Sequence, residues 1–214
     1  MLFRLPAEVL VLLLPALLFA LCAHEFAHAY MAYHCGDETA ARRGRLTLNP
    51  MAHIDPMGAI MILFVGFGWA KPVPVNPMNL RNPRIDMMKV AFAGPATNLL
   101  LAFIGGMILR MFDGGYMLMS VGSNIPTFIF YFTYINIMLA VFNMIPVAPL
   151  DGSQIFAGIF GRSHPELVGK LQMYGPKILF GVIILGYVSN LHIIGWIIRP
   201  FLTLFLYLFA GITL

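Results

Sequence analysis

The chain has 214 residues, of which 60% are hydrophobic and only 10% charged, against about 25% charged in an ordinary soluble domain. With a mean hydropathy of +0.84, it has too few polar residues to clothe a water-exposed surface, which excludes a soluble enzyme and points to an integral membrane protein of one domain. The net charge of +4 is small, and the basic residues fall between apolar stretches, so they bear on membrane topology and exclude a nucleic-acid partner.

The first apolar stretch predicts a helix from about Pro6 to His34, stopped by Gly36 with Asp37 following. It is too long for a cleavable signal sequence. Inside it lies His24-Glu25-Phe26-Ala27-His28. On a helix the two histidines stand one turn apart on one face, close enough to grip a single metal ion. Glu25 lies about 100° round from His24, beside that ion, where it can take a proton from metal-bound water. An acidic or basic group at the bilayer centre costs roughly 2.5–3.5 kcal/mol on insertion scales. Three ionisable groups within one turn of so apolar a segment are therefore there for use, and the pattern asks for zinc. Cys22 and Cys35 stand about 20 Å apart along the same helix, too far to pair, and both read as free thiols.

Beyond that helix, Arg42-Arg43-Gly44-Arg45 reads as a basic anchor at the membrane face. Asn49-Pro50 and Asp55-Pro56 signal turns; His53 and Asp55 either approach the metal site or cap the short helix that follows, and capping is the simpler reading. Residues 57–70 are apolar but short for a span and broken by Gly66 and Gly68, with Pro72 just beyond, so a re-entrant segment is expected. The run Lys71-Pro72-Val73-Pro74-Val75-Asn76-Pro77 excludes a helix. As a strand it keeps the Val73 and Val75 amides on one edge, while Pro72 and Pro74 remove donors from the other. Such a strand is either a quiet structural edge or a place to hold an extended peptide.

Residues 90–109 form an uncharged span closed by Arg110. Within it, Ala93-Gly94-Pro95-Ala96-Thr97-Asn98 offers a kink or a close approach of backbones, and a buried Asn98 that wants a partner. A further span over 125–145 ends in Asn143-Met144-Ile145-Pro146-Val147-Ala148-Pro149-Leu150-Asp151-Gly152, whose prolines predict an extended backbone before Asp151. A short polar loop follows with Arg162, His164, Glu166 and Lys170. Residues 178–214 are apolar except for His192 and Arg199, with a helix break either within 190–195 or at Arg199-Pro200.

The His24–His28 motif together with Asn143…Pro146…Pro149-Leu150-Asp151-Gly152 resembles the site-2 protease family, intramembrane zinc metalloproteases that cut helices within the bilayer. The resemblance covers about residues 24–152. It implies that His24, His28 and Asp151 bind one zinc ion per chain and that Glu25 is the general base. It also implies that Asn143 holds the substrate backbone. Gly66 and Gly68, in the Gly-Phe-Gly-Trp run, resemble with Val73 and Val75 the family's re-entrant β element that presents substrate, and Asn98 matches a further motif near the site.

The expected architecture is an all-α polytopic membrane protein with about five transmembrane helices plus a re-entrant segment bearing a short β element. One metalloprotease domain is expected over 1–214, with a catalytic core over about 6–152 and C-terminal helices over about 174–214. Expected partners are a transmembrane protein substrate and the bilayer. The chain carries no PDZ-like or nucleotide-sensing module, so a regulatory membrane protein is a further expected partner. The basic residues Arg42, Arg43, Arg45, Lys71, Arg81, Arg84, Lys89, Arg162, Lys170 and Lys177 are expected on the side of the site, against Arg4 and Arg110 on the far side. That bias predicts a multi-pass protein of a prokaryotic cell membrane with its active site toward the cytoplasm. The metal motif alone also suits a metal transporter or a non-proteolytic protein that binds membrane helices, and turnover of a substrate separates these from a protease.

Overall fold

The computed structural model describes residues 6–65, 68–111, 124–189 and 193–213. Five of its helices are long and apolar enough to cross a membrane: α1 (Ala7–His34), α5 (Pro83–Met111), α6 (Asn124–Asn143), α8 (Pro165–Ser189) and α9 (Ile193–Ala210). The connections carry the short helices α2 (Thr39–Arg42), α3 (Pro50–His53), α4 (Pro56–Val65) and α7 (Asp151–Phe160), and a single 3-10 turn at Pro77–Asn79. Among the described residues there is no β-sheet, only an isolated antiparallel bridge between Ile54 and Ala70. Residues 71–76 therefore form no strand of a sheet, and the break between the last two helices falls between Ser189 and Ile193.

The core is α5 packed between α1 and α6. In a bilayer the pairing of helices gains nothing from leaving water, so close contact depends on small side chains. Ala16, Ala20, Ala23 and Ala27 are buried along α1, Ala16 and Ala20 against Ile135 of α6, and Ala91, Gly94 and Ala102 are buried along α5, Ala102 against Ile137 of α6. Starting at Pro83, α5 begins ahead of the predicted residue 90 because its N-terminus is capped from both directions. Asn82 Oδ1 accepts the Ile85 N–H, and Asp86 Oδ2 accepts the Asn82 N–H.

Contacts fix the helix directions. Ala20 and His28 of α1 meet Asn98 and Val90 of α5 respectively, so the two run antiparallel. Arg110, at the end of α5, donates to the carbonyls of Tyr207, Leu208 and Phe209 in the last turn of α9. Ile198 and Leu202, earlier in α9, pack with Ala102 of α5. At 1.5 Å per residue this order requires α9 to run in the same direction as α5.

The segment before α5 folds back on itself. The Lys71 N–H donates to the His53 carbonyl at 2.8 Å, beside the Ile54–Ala70 bridge. Gly58 and Gly68 lie backbone to backbone, where a Cβ on either would strike the opposite arm. The two ends of residues 54–70 are therefore neighbours.

Candidate metal centre and catalytic site

Two helices bring three side chains together. His24 and His28 share one face of α1, and Asp151 is the first residue of α7. The two Nε2 atoms are 3.0 Å apart and lie 3.1 and 3.3 Å from Asp151 Oδ2. Among the described residues this is the one group of three or more His, Cys, Asp or Glu side chains able to hold a metal ion.

The outer contacts determine what those atoms carry. His24 Nδ1 lies 2.6 Å from Asn98 Oδ1, and His28 Nδ1 lies 2.7 Å from the Val90 carbonyl oxygen. Both partners are acceptors, so each Nδ1 bears the proton and donates it, leaving a lone pair on each Nε2. The orientation of Asn98 is set in turn, because its Nδ2 donates to the Ala20 carbonyl at 3.1 Å and to Asn136 Oδ1 at 2.8 Å. Asn136 Nδ2 then donates to the Phe132 carbonyl at 2.8 Å. Asn98 and Asn136 are fully buried, where a missing partner would cost about 1–3 kcal/mol.

The 3.0 Å approach of the two imidazoles is therefore not a hydrogen bond. Asp151 Oδ2, also buried, has no hydrogen-bond donor. With both rings neutral, three electron-pair donors face one another, an arrangement that suits a cation sitting among them. Donors at about 2.0–2.2 Å from a tetrahedral zinc ion stand roughly 3.3 Å apart, close to the spacings here. Two imidazoles and one carboxylate, with a fourth position left open, form a donor set suited to catalytic zinc.

Gly94 makes room for this cluster. A Cβ there would lie 2.5 Å from His28 Nε2 and 2.6 Å from His24 Cε1, so any side chain on that turn of α5 would push the imidazoles aside. Glu25 stands on the adjoining face of α1, where its Oε2 accepts the Val73 N–H at 3.2 Å. His24, Glu25, His28 and Asp151 all open onto an apolar cavity of about 1320 Å³ that runs between α1, α6, α8 and α9.

Gly68, Val73, Val75 and Asn143 line that cavity too. Asn143 Nδ2 donates to the Leu139 carbonyl at 3.0 Å, which leaves its second N–H for another acceptor. Asn98 is placed differently: it sits behind His24, outside the cavity lining, and touches the site only through that imidazole. Gly66, Arg4 and His192 lie outside the described residues. His53 faces away from the metal cluster, with Nε2 2.7 Å from the Thr47 carbonyl, and Asp55 caps α4 by accepting the Gly58 N–H at 2.8 Å. Arg45 departs from the expected solvated anchor: it is buried and donates to the Lys71 carbonyl. Before Asp151 the backbone makes successive turns rather than an extended run, and a new helix starts at Asp151 itself. Asn136 was not singled out from the sequence; a polar side chain inside an uncharged span was the available signal.

Comparison with known proteins agrees with this chemistry. The profile of peptidase family M50 matches residues 108–185. The chain is 40% identical over 172 residues to YwhC of Bacillus subtilis, named as a zinc metalloprotease, across 79% of this chain and 78% of that protein. Rip2 of Mycolicibacterium smegmatis, named likewise, is 32% identical over 173 residues, 77% of this chain and 60% of Rip2. Rip2 of Mycobacterium tuberculosis strain H37Rv is 28% identical over 197 residues, 89% of this chain and 71% of that protein. No solved structure matches.

Proposed function

The chain belongs to peptidase family M50, and on that premise we propose that it is an intramembrane zinc endopeptidase of the site-2 protease type, hydrolysing peptide bonds of transmembrane proteins. The observation that carries this reading is the convergence of the three possible ligand atoms of His24, His28 and Asp151, with a carboxylate at their side, on the wall of a large apolar cavity. His24, His28 and Asp151 would hold the ion. Zinc bound there supplies Lewis acidity and lowers the pKa of a water molecule to about 7.

The remaining work falls to the chain's own residues. Glu25 accepts the proton of the attacking water and later returns it to the departing amine nitrogen. Its Oε2 is held by the Val73 amide, which keeps the carboxylate aimed along the cavity wall. A helical substrate hides its carbonyls and must present an unwound stretch. We assign the capture of that stretch to the backbone of Val73 and Val75, to the neighbouring Gly66 and Gly68, and to Asn143. Asn98 we assign to holding His24 rather than substrate, since its contacts all lie behind the imidazole. The adjacency of the two ends of residues 54–70 supports a re-entrant segment, and the basic residues near the site support an opening toward the cytoplasm.

Purified protein in detergent, given a transmembrane peptide substrate, tests the reading. The parent should cleave it and lose activity to a zinc chelator. Glu25→Gln should keep its zinc and lose nearly all cleavage, because the donors remain and the base is gone. Cleavage by Glu25→Gln at the parent rate would remove Glu25 from the mechanism.

A further inference from the structure

Two buried charged side chains lie just after α1 and take no part in the metal site. Asp37 is fully buried. Its Oδ2 accepts the Asn76 N–H at 2.7 Å, while Oδ1 accepts the Thr39 N–H at 3.1 Å and Asn79 Nδ2 at 2.9 Å. Arg45 donates from Nη2 to the Lys71 carbonyl, with His53 Nδ1 beside it at 3.5 Å. Residues 71–76 are thus tied at one end by Arg45 and at the other by Asp37, both carried by the polypeptide that leaves α1. Between the ties, no neighbouring strand among the described residues pairs with the stretch. Its Val73 N–H reaches Glu25, and Val73 and Val75 line the cavity.

The proline content makes such ties necessary. Pro72 and Pro74 have no N–H, so this run cannot be held in place by a full ladder of backbone bonds. Hydrogen bonds to ionised groups are the strong kind, and one at each end fixes six residues that would otherwise sample many conformations.

We propose that Asp37 and Arg45 are positioning residues that hold residues 71–76 as a preformed ledge on which an unwound substrate segment lies beside Glu25 and the metal ligands. This rests on the peptidase reading above and adds the residues that set substrate affinity. Without the ties, the ledge must be ordered anew at each encounter, so binding weakens while the groups that break the bond stay in place.

The test uses the purified full chain with a transmembrane peptide substrate, comparing the parent with Asp37→Asn and Arg45→Gln. Each variant keeps most of the side-chain volume: Asp37→Asn removes the charge and one of the two acceptor oxygens that Asn76, Thr39 and Asn79 share, and Arg45→Gln withdraws the charged donor from the Lys71 carbonyl. The expected result is an apparent KM raised about ten-fold or more, with kcat held within about three-fold, and zinc content equal to the parent. Amide hydrogen exchange over residues 71–76 should accelerate in both variants without substrate. Unchanged kinetics would overturn the proposal. So would a loss of zinc, or a fall in kcat at constant KM, since either assigns these residues to the fold or the metal site. If neither variant accumulates, exchange in the parent decides: protected Val73 and Asn76 amides in the absence of substrate are expected, and exchange at the rate of an unstructured peptide overturns the ledge. A parent that does not cleave at all defeats the peptidase reading and this proposal together, whereas a cleaving parent with unchanged variants defeats this proposal alone.

Discussion

The proton on each histidine Nδ1 governs what the two imidazoles can do. Asn98 and the Val90 carbonyl hold those protons and so turn both Nε2 lone pairs toward Asp151. Asn98→Ala should let the His24 ring rotate, and zinc affinity should fall about 10- to 100-fold, as read by competition with a chromophoric chelator; unchanged affinity would show that Asn98 does not orient the ligand. Gly94→Ala should leave a folded protein that binds little zinc, because the added methyl occupies the space of the imidazoles. Zinc analysis beside circular dichroism checks this, and full occupancy would contradict it. The histidine pair was legible in the sequence because a spacing of four residues fixes one helix face. The partner of Asn98 was not, since it lies 74 residues away and depends on the register of α5 against α1. A polar residue in an apolar span announces that it needs a partner, not which one.

At the scale of elements, the decisive feature is an extended stretch that reaches Glu25 without belonging to a sheet. Val73→Pro removes the N–H that Glu25 accepts and should slow cleavage with zinc retained; an unaltered rate in a folded variant would reject this edge as the docking site. Burial alone would raise the Asp37 pKa, but hydrogen bonds from the Thr39 side chain, the Asn76 amide and Asn79 hold it below the usual carboxylate range. Its contribution to stability is therefore present above the ordinary unfolded value of about 3.9 and is lost as the pH falls through the lower folded value. The tie at Asn76 should accordingly be insensitive to pH from about 5 to 8, and protection of the Asn76 amide should not change over that interval. The prolines made the extended backbone legible. The ties were hidden, because Arg45 reads as one of a surface cluster and Asp37 as a turn residue until α1 and residues 71–79 are brought together. The separate helix α7 was missed for a related reason: the turns of residues 144–150 interrupt the helix, and Asp151 starts a new one.

For the whole molecule, the site depends on where the crossings fall. Asp151 reaches the histidines because α1 and α6 both run antiparallel to α5, an order that the proposed re-entrant path of residues 54–70 allows. A second crossing there would place Asp151 some 20 Å or more away, given a core about 30 Å thick. With the site facing the cytoplasm as proposed, single cysteines at positions 43 and 163 should both react with an impermeant thiol reagent from the cytoplasmic face, and labelling of either from outside intact cells would overturn the topology. The most direct test of the whole account is the zinc content of purified Asp151→Ala, which requires both the ligand assignment and the crossing count to hold. The parent should carry about one zinc ion per chain, and Asp151→Ala close to none, with helicity and elution volume unchanged; a fully zinc-loaded Asp151→Ala protein would contradict the account.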